Sequence, residues 1–163
     1  SWMSGNYSKV NDDAVREHLA KALAHLKFSL ELCLIQHQAG RLFLLENPVV
    51  ATSWGSRMMR AMAKLDGVQI VSFDFCSLGM KATSDEGAEM LAKKKTKVIT
   101  NSGHIAASLA KCQCWKDHRH VHLEGGKASA CEVYPRAFCE LVVRDCNENS
   151  KTTDGSERCI NPS

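Results

Sequence analysis

With 163 residues, 44% hydrophobic and 24% charged, and a formal net charge of +3, the chain has the make-up of one globular domain or a large piece of one. No apolar run reaches the ~18 residues of a membrane span, and Ser1-Trp2-Met3-Ser4-Gly5 has neither the charged nor the apolar region of a secretory signal. The reading is therefore an intracellular protein, of nucleus or cytoplasm, with no membrane partner and too small a charge excess to demand a polyanion. In that setting the eight cysteines read as reduced thiols, buried or metal-binding, rather than as a disulfide framework.

Asn11-Asp12-Asp13 supplies an N-cap and carboxylates for the positive end of a helix dipole. Val15, Leu19, Leu23, Leu26, Leu30, Cys33 and Leu34 then recur at helical spacing, predicting a long amphipathic helix that Gly40 ends. Arg41 to Glu46 is a short apolar run stopped by Asn47-Pro48. It reads as a strand buried on both faces, hence central in a parallel sheet. Thr52 or Ser53 is expected to cap a helix through about Leu65, and Asp66-Gly67 turns the chain. Val68 to Phe75 is a second strand, rich in β-branched and aromatic residues.

Cys76 to Gly79 reads as a loop and 81–92 as an exposed polar insertion. Thr96 to Thr100 is a third strand, with Asn101 or Ser102 capping a helix over Gly103 to Lys111. His118 to Leu123 alternates like a strand, Gly125-Gly126 turns, and Tyr134-Pro135 opens a last helix. From Asn147 the composition turns polar, so the organisation expected is a domain over 1–146 and a disordered tail over 147–163. Helices alternating with short apolar strands indicate an α/β layered fold.

Three constellations can carry chemistry. Glu46 and Asn47 close the first strand, where open α/β sheets bind ligands. A desolvated carboxylate there can act as an acid or hydrogen-bond partner, or it can simply cap the next helix or pair with Arg41. Cys114, His118 and His120 form C-x3-H-x-H, with Cys76 available as a remote fourth ligand. Two thiolates and two imidazoles suit a tetrahedral Zn²⁺, whereas free cysteines beside a wet histidine strand are the plain alternative. His122 would share the face of the other two histidines in an extended strand. Lys94, Lys95, Thr96 and Asn101 flank a helix start that can hold a nucleic-acid phosphate or be capping alone. No P-loop, GxGxxG or GxSxG occurs.

In order, Ser1-Trp2 with Asn6, the helix 12–39, Leu44-Leu45-Glu46-Asn47-Pro48, and Val71 to Gly79 with Lys95-Thr96 resemble the C-terminal half of cytosine-C5 DNA methyltransferases. They differ in Pro48 for Val and in lysines for the arginine turn. A nearer resemblance is to a divergent methyltransferase-like segment of copia-type retroelement polyproteins. It is carried by Glu46/Pro48, Ser53-Trp54, Asp74/Cys76/Gly79, Lys94/Thr96, Thr100-Asn101, Cys114/His118/His120 and Tyr134-Pro135. The resemblance implies a partial Rossmann-like, class I methyltransferase-like three-layer sandwich. It gives Glu46, with Asn47, the role of holding a flipped cytosine of DNA. It also implies a fragment lacking the S-adenosylmethionine loop and the catalytic Cys, inert without its N-terminal half. The other reading is a zinc-stabilised nucleic-acid-binding module of a mobile-element protein.

Overall fold

The computed structural model describes residues 12–84, 86–121, 131 and 133–154. It is a mixed α/β fold with two small sheets and four α-helices among these residues. Helix α1 spans Asp12–Gln38. Its end follows from Gly40, whose φ of 66° is the left-handed conformation that glycine adopts without penalty. The Gly40 amide then donates to the His37 carbonyl and the Arg41 amide to the Gln36 carbonyl, satisfying the last turn. Leu26, Leu30 and Cys33 are buried, whereas Val15, Leu19 and Leu23, on the same stripe one to three turns earlier, are exposed. The helix thus packs by its second half.

Strands β1 (Leu44–Pro48), β2 (Gln69–Asp74) and β5 (Lys95–Thr100) form the first sheet in the order β1-β5-β2. Both pairings are antiparallel, with Glu46 opposite Val98 and Val71 opposite Val98 from the other side. This corrects the expectation of a parallel sheet with the first strand at its centre. Pro48 has no amide to give to a ladder, so β1 is suited to an edge, and it is only half-buried. The central place belongs to β5. Val98 and Ile99 there are both fully buried although they point to opposite faces.

Helices cover both faces of this sheet. Val98 and Phe73 pack with Ile105 and Leu109 of α3 (Gly103–Ala110) and with Phe138 and Leu141 of α4 (Arg136–Asp154). Ile99 packs on the other side with Leu26, Leu30 and Cys33 of α1, Phe43, and Met59 and Met62 of α2 (Arg57–Met62). Each large apolar side chain so buried contributes roughly 1.5–3 kcal/mol. The helix expected from Thr52 is shorter than read. A 3₁₀ turn occupies Thr52–Gly55, and Ser56 is the cap, its hydroxyl accepting from the Met59 amide at 3.1 Å.

The segment 81–92 is not a loose insertion. It makes β3 (Lys81–Thr83) and β4 (Glu89–Ala92), an antiparallel hairpin that buries Ala82 and Ala92. Its second neighbour is β6, only His120–Val121, which runs parallel to β4. The expected strand from His118 is thus two residues long where described, and His122 and Gly125-Gly126 lie outside the described residues. At the other end α4 continues past Asn147 to Asp154, where the start of the polar tail was expected; residues 155–163 of that tail lie outside the described residues. Among the described residues no helix is long and apolar enough to cross a membrane.

Ser102 caps α3, its hydroxyl accepting from the Ile105 amide at 3.3 Å. Asn101 instead ties β5 to the entry of β1. Its Oδ1 accepts from the Phe43 amide at 2.9 Å and its Nδ2 donates to the Arg41 carbonyl at 2.9 Å. Asn101→Ala leaves both backbone groups without these partners. A loss of about 1–3 kcal/mol is expected, read as a lower urea midpoint with an unchanged slope.

Candidate metal centre

The site grows from the end of β2. Phe73 turns into the aromatic core, where its ring stacks on Phe138 at 5.8 Å and meets Phe75 edge-on at 4.8 Å. Asp74 between them is buried, the one charged residue of β2. Its Oδ2 accepts from the Cys114 amide at 3.1 Å, and its own amide donates to the Cys112 carbonyl at 2.8 Å. The Gln113 side-chain amide donates to the Ser72 carbonyl at 2.8 Å. The chain leaving α3 is thereby laid along the end of β2.

Phe75–Leu78 then form a 3₁₀ turn closed by Gly79 at φ 80°, and the Ser77 hydroxyl donates to the Asp74 carbonyl at 2.6 Å. This turn places Cys76 beside Cys114. The spacing Asp74-x-Cys76-x-x-Gly79 thus has a mechanical meaning: an acid that grips the facing loop, a ligand, and a glycine that turns the chain away.

Cys114 and His118 are brought together by the backbone of the loop between them. Lys116 has φ 62°, the one described non-glycine residue in the left-handed region. Such a conformation costs about 1 kcal/mol and persists only where the surroundings fix it. The Cys114 Sγ lies 3.8 Å from His118 Nε2 and 3.5 Å from His120 Nε2, and the two Nε2 atoms are 2.9 Å apart. Together with Cys76, one ligand atom from each of the four residues falls within 4.8 Å of the others.

Zinc bonds of about 2.0–2.3 Å put tetrahedral donors roughly 3.3–3.8 Å apart, so this set needs only small adjustments to close on an ion. His118 Nδ1 meets Asp117 Oδ1 at 2.7 Å. A carboxylate accepts there, which assigns the hydrogen to Nδ1 and leaves the Nε2 lone pair facing the other ligands. The Cys76 thiol is pushed up to about 11 by burial first, then by its hydrogen bond and charge interaction with Cys114 and by Asp74. A metal bound here must displace that proton. All seven described cysteines are unbridged.

The other expected site residues take different places. Glu46 is nearly enclosed, its side chain 10% exposed, and both oxygens are engaged. Oε1 accepts from the Thr96 hydroxyl at 2.8 Å, and Oε2 accepts from the Tyr134 hydroxyl at 3.0 Å. Lys94 stands 3.9 Å from Oε1, donates to the Cys131 carbonyl at 3.2 Å, and lies over the rings of Phe75 and Tyr134. The structure thus joins Glu46, Lys94 and Thr96 in one polar knot clamping β1, β5 and the approach to α4. Asn47 points to the opposite face, across from Lys97. Lys95 is exposed, and Asn101 holds the backbone of 41–43. Asp117 has no place in the sequence reading, and Asp74 and Tyr134 enter it only as motif residues of the resemblance, without a site role. The signal for Asp74 was a lone acid between two phenylalanines at the end of a strand; the partners of the other two are set by tertiary structure.

No protein-family model, curated protein or solved structure matches this chain. The site is therefore read from its own geometry.

Burial, followed by the charge and hydrogen bond of Glu46, raises the Tyr134 phenol from 10.0 to about 12. The neutral phenol is thus favoured in the folded state. Its contribution to stability is complete below pH 10.0 and is lost as pH climbs towards about 12, because the unfolded chain ionises first. Tyr134→Phe is expected to cost about 1 kcal/mol at neutral pH and to make the alkaline decline shallower. Urea unfolding across that pH window checks both.

Proposed function

We propose that this domain is a zinc-stabilised nucleic-acid-binding module in which Cys76, Cys114, His118 and His120 hold a structural Zn²⁺. The observation that carries the proposal is the convergence of four soft or borderline ligand atoms within 4.8 Å of one another, drawn from two loops that are far apart in sequence. The donor set fits the ion. Two thiolates and two neutral imidazoles are the usual tetrahedral complement of zinc, and a closed four-ligand set leaves no position for substrate or attacking water. A structural role follows from that closure. The ion would fasten the turn after β2 to the loop after α3, which is otherwise held by the Asp74 and Gln113 contacts and the two-residue strand β6.

The nucleic-acid part of the reading rests on the mild excess of positive charge and on exposed cations around the centre, among them Lys93, Lys95 and Arg119. The methyltransferase-like reading, with its partial Rossmann-like sandwich, DNA partner and S-adenosylmethionine supplied by a missing half, rests on the order of short motifs. The engagement of both Glu46 oxygens adds nothing to it.

The purified chain is expected to hold about one equivalent of zinc by elemental analysis. Cys76→Ser or His120→Ala should reduce this to below about a tenth, since structural sites bind tightly. Removing the ion with a chelator should lower the melting temperature by on the order of 10 °C. Wild-type protein purified without zinc, and unable to take it up on addition, would sink the proposal.

A further inference from the structure

The loop that the centre shapes carries Trp115, 76% exposed, between two of the proposed ligands. An indole left in water is an unusual use of the largest apolar side chain, and such groups are enriched where a partner covers them. Lys116 and Arg119 on the same loop are exposed, as is Lys111 at the end of α3. No acid among the described residues forms an ion pair with any of the three. The acid of the loop, Asp117, is turned to His118. The left-handed Lys116 sets the course of the chain just after the indole. The loop thus offers an exposed aromatic face with unneutralised cations close to it in sequence.

That combination suits one class of ligand. An unpaired base stacks on an aromatic ring whatever its identity, and lysine and arginine take the adjoining phosphates. A base inside a duplex is already stacked on both faces and cannot use the indole. We infer that Trp115, with Lys116 and Arg119, forms a single-strand nucleic-acid contact that stacks one exposed base and holds its flanking phosphates. This rests on the nucleic-acid-binding part of the reading above, and it names both the strand state of the nucleic acid and the residues that touch it. The loop is held by the Asp74 and Gln113 contacts, and a bound metal would hold it further.

The test uses the full chain and a fluorescent oligothymidylate of about a dozen nucleotides, with its RNA counterpart and a duplex of equal length, read by anisotropy. Zinc content is measured on every sample. Single strands are expected to bind at least about ten-fold more tightly than duplex. Trp115→Ala should weaken single-strand binding by about ten-fold or more while keeping its zinc, and Trp115→Phe should restore most of the affinity. Lys116→Ala should reduce the salt dependence by about 0.7 in the log–log slope.

A zinc-loaded wild type that ignores every oligonucleotide at about 100 µM overturns this inference and leaves the centre intact; so does a Trp115→Ala variant that binds as wild type. Capture of a protein partner through Trp115 with no oligonucleotide binding overturns it as well. Trp115-dependent binding by a chain that takes up no zinc leaves the contact standing and removes the metal reading.

Discussion

The carboxylate of Asp74 on the amide of Cys114 is the contact on which the rest of the site depends. It is partly buried, and it joins residues 40 apart in sequence. A hydrogen bond to a charged group contributes about 1.5–3 kcal/mol in such surroundings. It determines where the chain leaving α3 meets the end of β2. Once Cys114 is placed there, Cys76 is beside it through the 3₁₀ turn, and the left-handed turn at Lys116 brings both histidines to the same point. Closing these four atoms on a metal would take the loss of protons, an opening between the imidazoles, which are 2.9 Å apart, and a contraction of the widest separations, up to 4.8 Å.

The polar knot around Glu46 has a different character. Its groups satisfy one another: two hydroxyls on the carboxylate, and an ammonium on a carbonyl and two aromatic faces. Nothing in it is left unpaired to receive a ligand. The cluster at Cys76 differs in its chemistry: its thiols and imidazoles contact one another, and each carries a lone pair of the kind a metal ion accepts. The two clusters are neighbours: the Phe75 amide donates to the Lys94 carbonyl at 3.1 Å, and Phe75 is followed directly by Cys76.

Much of this was legible in the sequence where the information is local. The stripe of leucines and Gly40 marks α1 and its end, the β-branched runs mark β2 and β5, and C-x3-H-x-H with a distant Cys names the four residues that the fold brings together. Strand direction was not legible. A short apolar run carries no sign of whether its neighbour is parallel, and Pro48, which belongs on an edge, was the one available cue. The hairpin at 81–92 escaped because strands of three and four residues show too little alternation. The partners of Glu46 were hidden for another reason: Tyr134 lies 88 residues away, and only the packed structure brings the two together. The histidines converge through the turn at Lys116 and not, as alternation suggested, through a shared strand face.

X-ray absorption at the zinc edge of the purified chain tests the central claim most directly. A tetrahedral first shell with two sulfur ligands at about 2.3 Å and two imidazole nitrogens at about 2.0 Å is the expected result. A shell of oxygen and nitrogen alone, or one with five or six ligands, would contradict a closed centre built from Cys76, Cys114, His118 and His120.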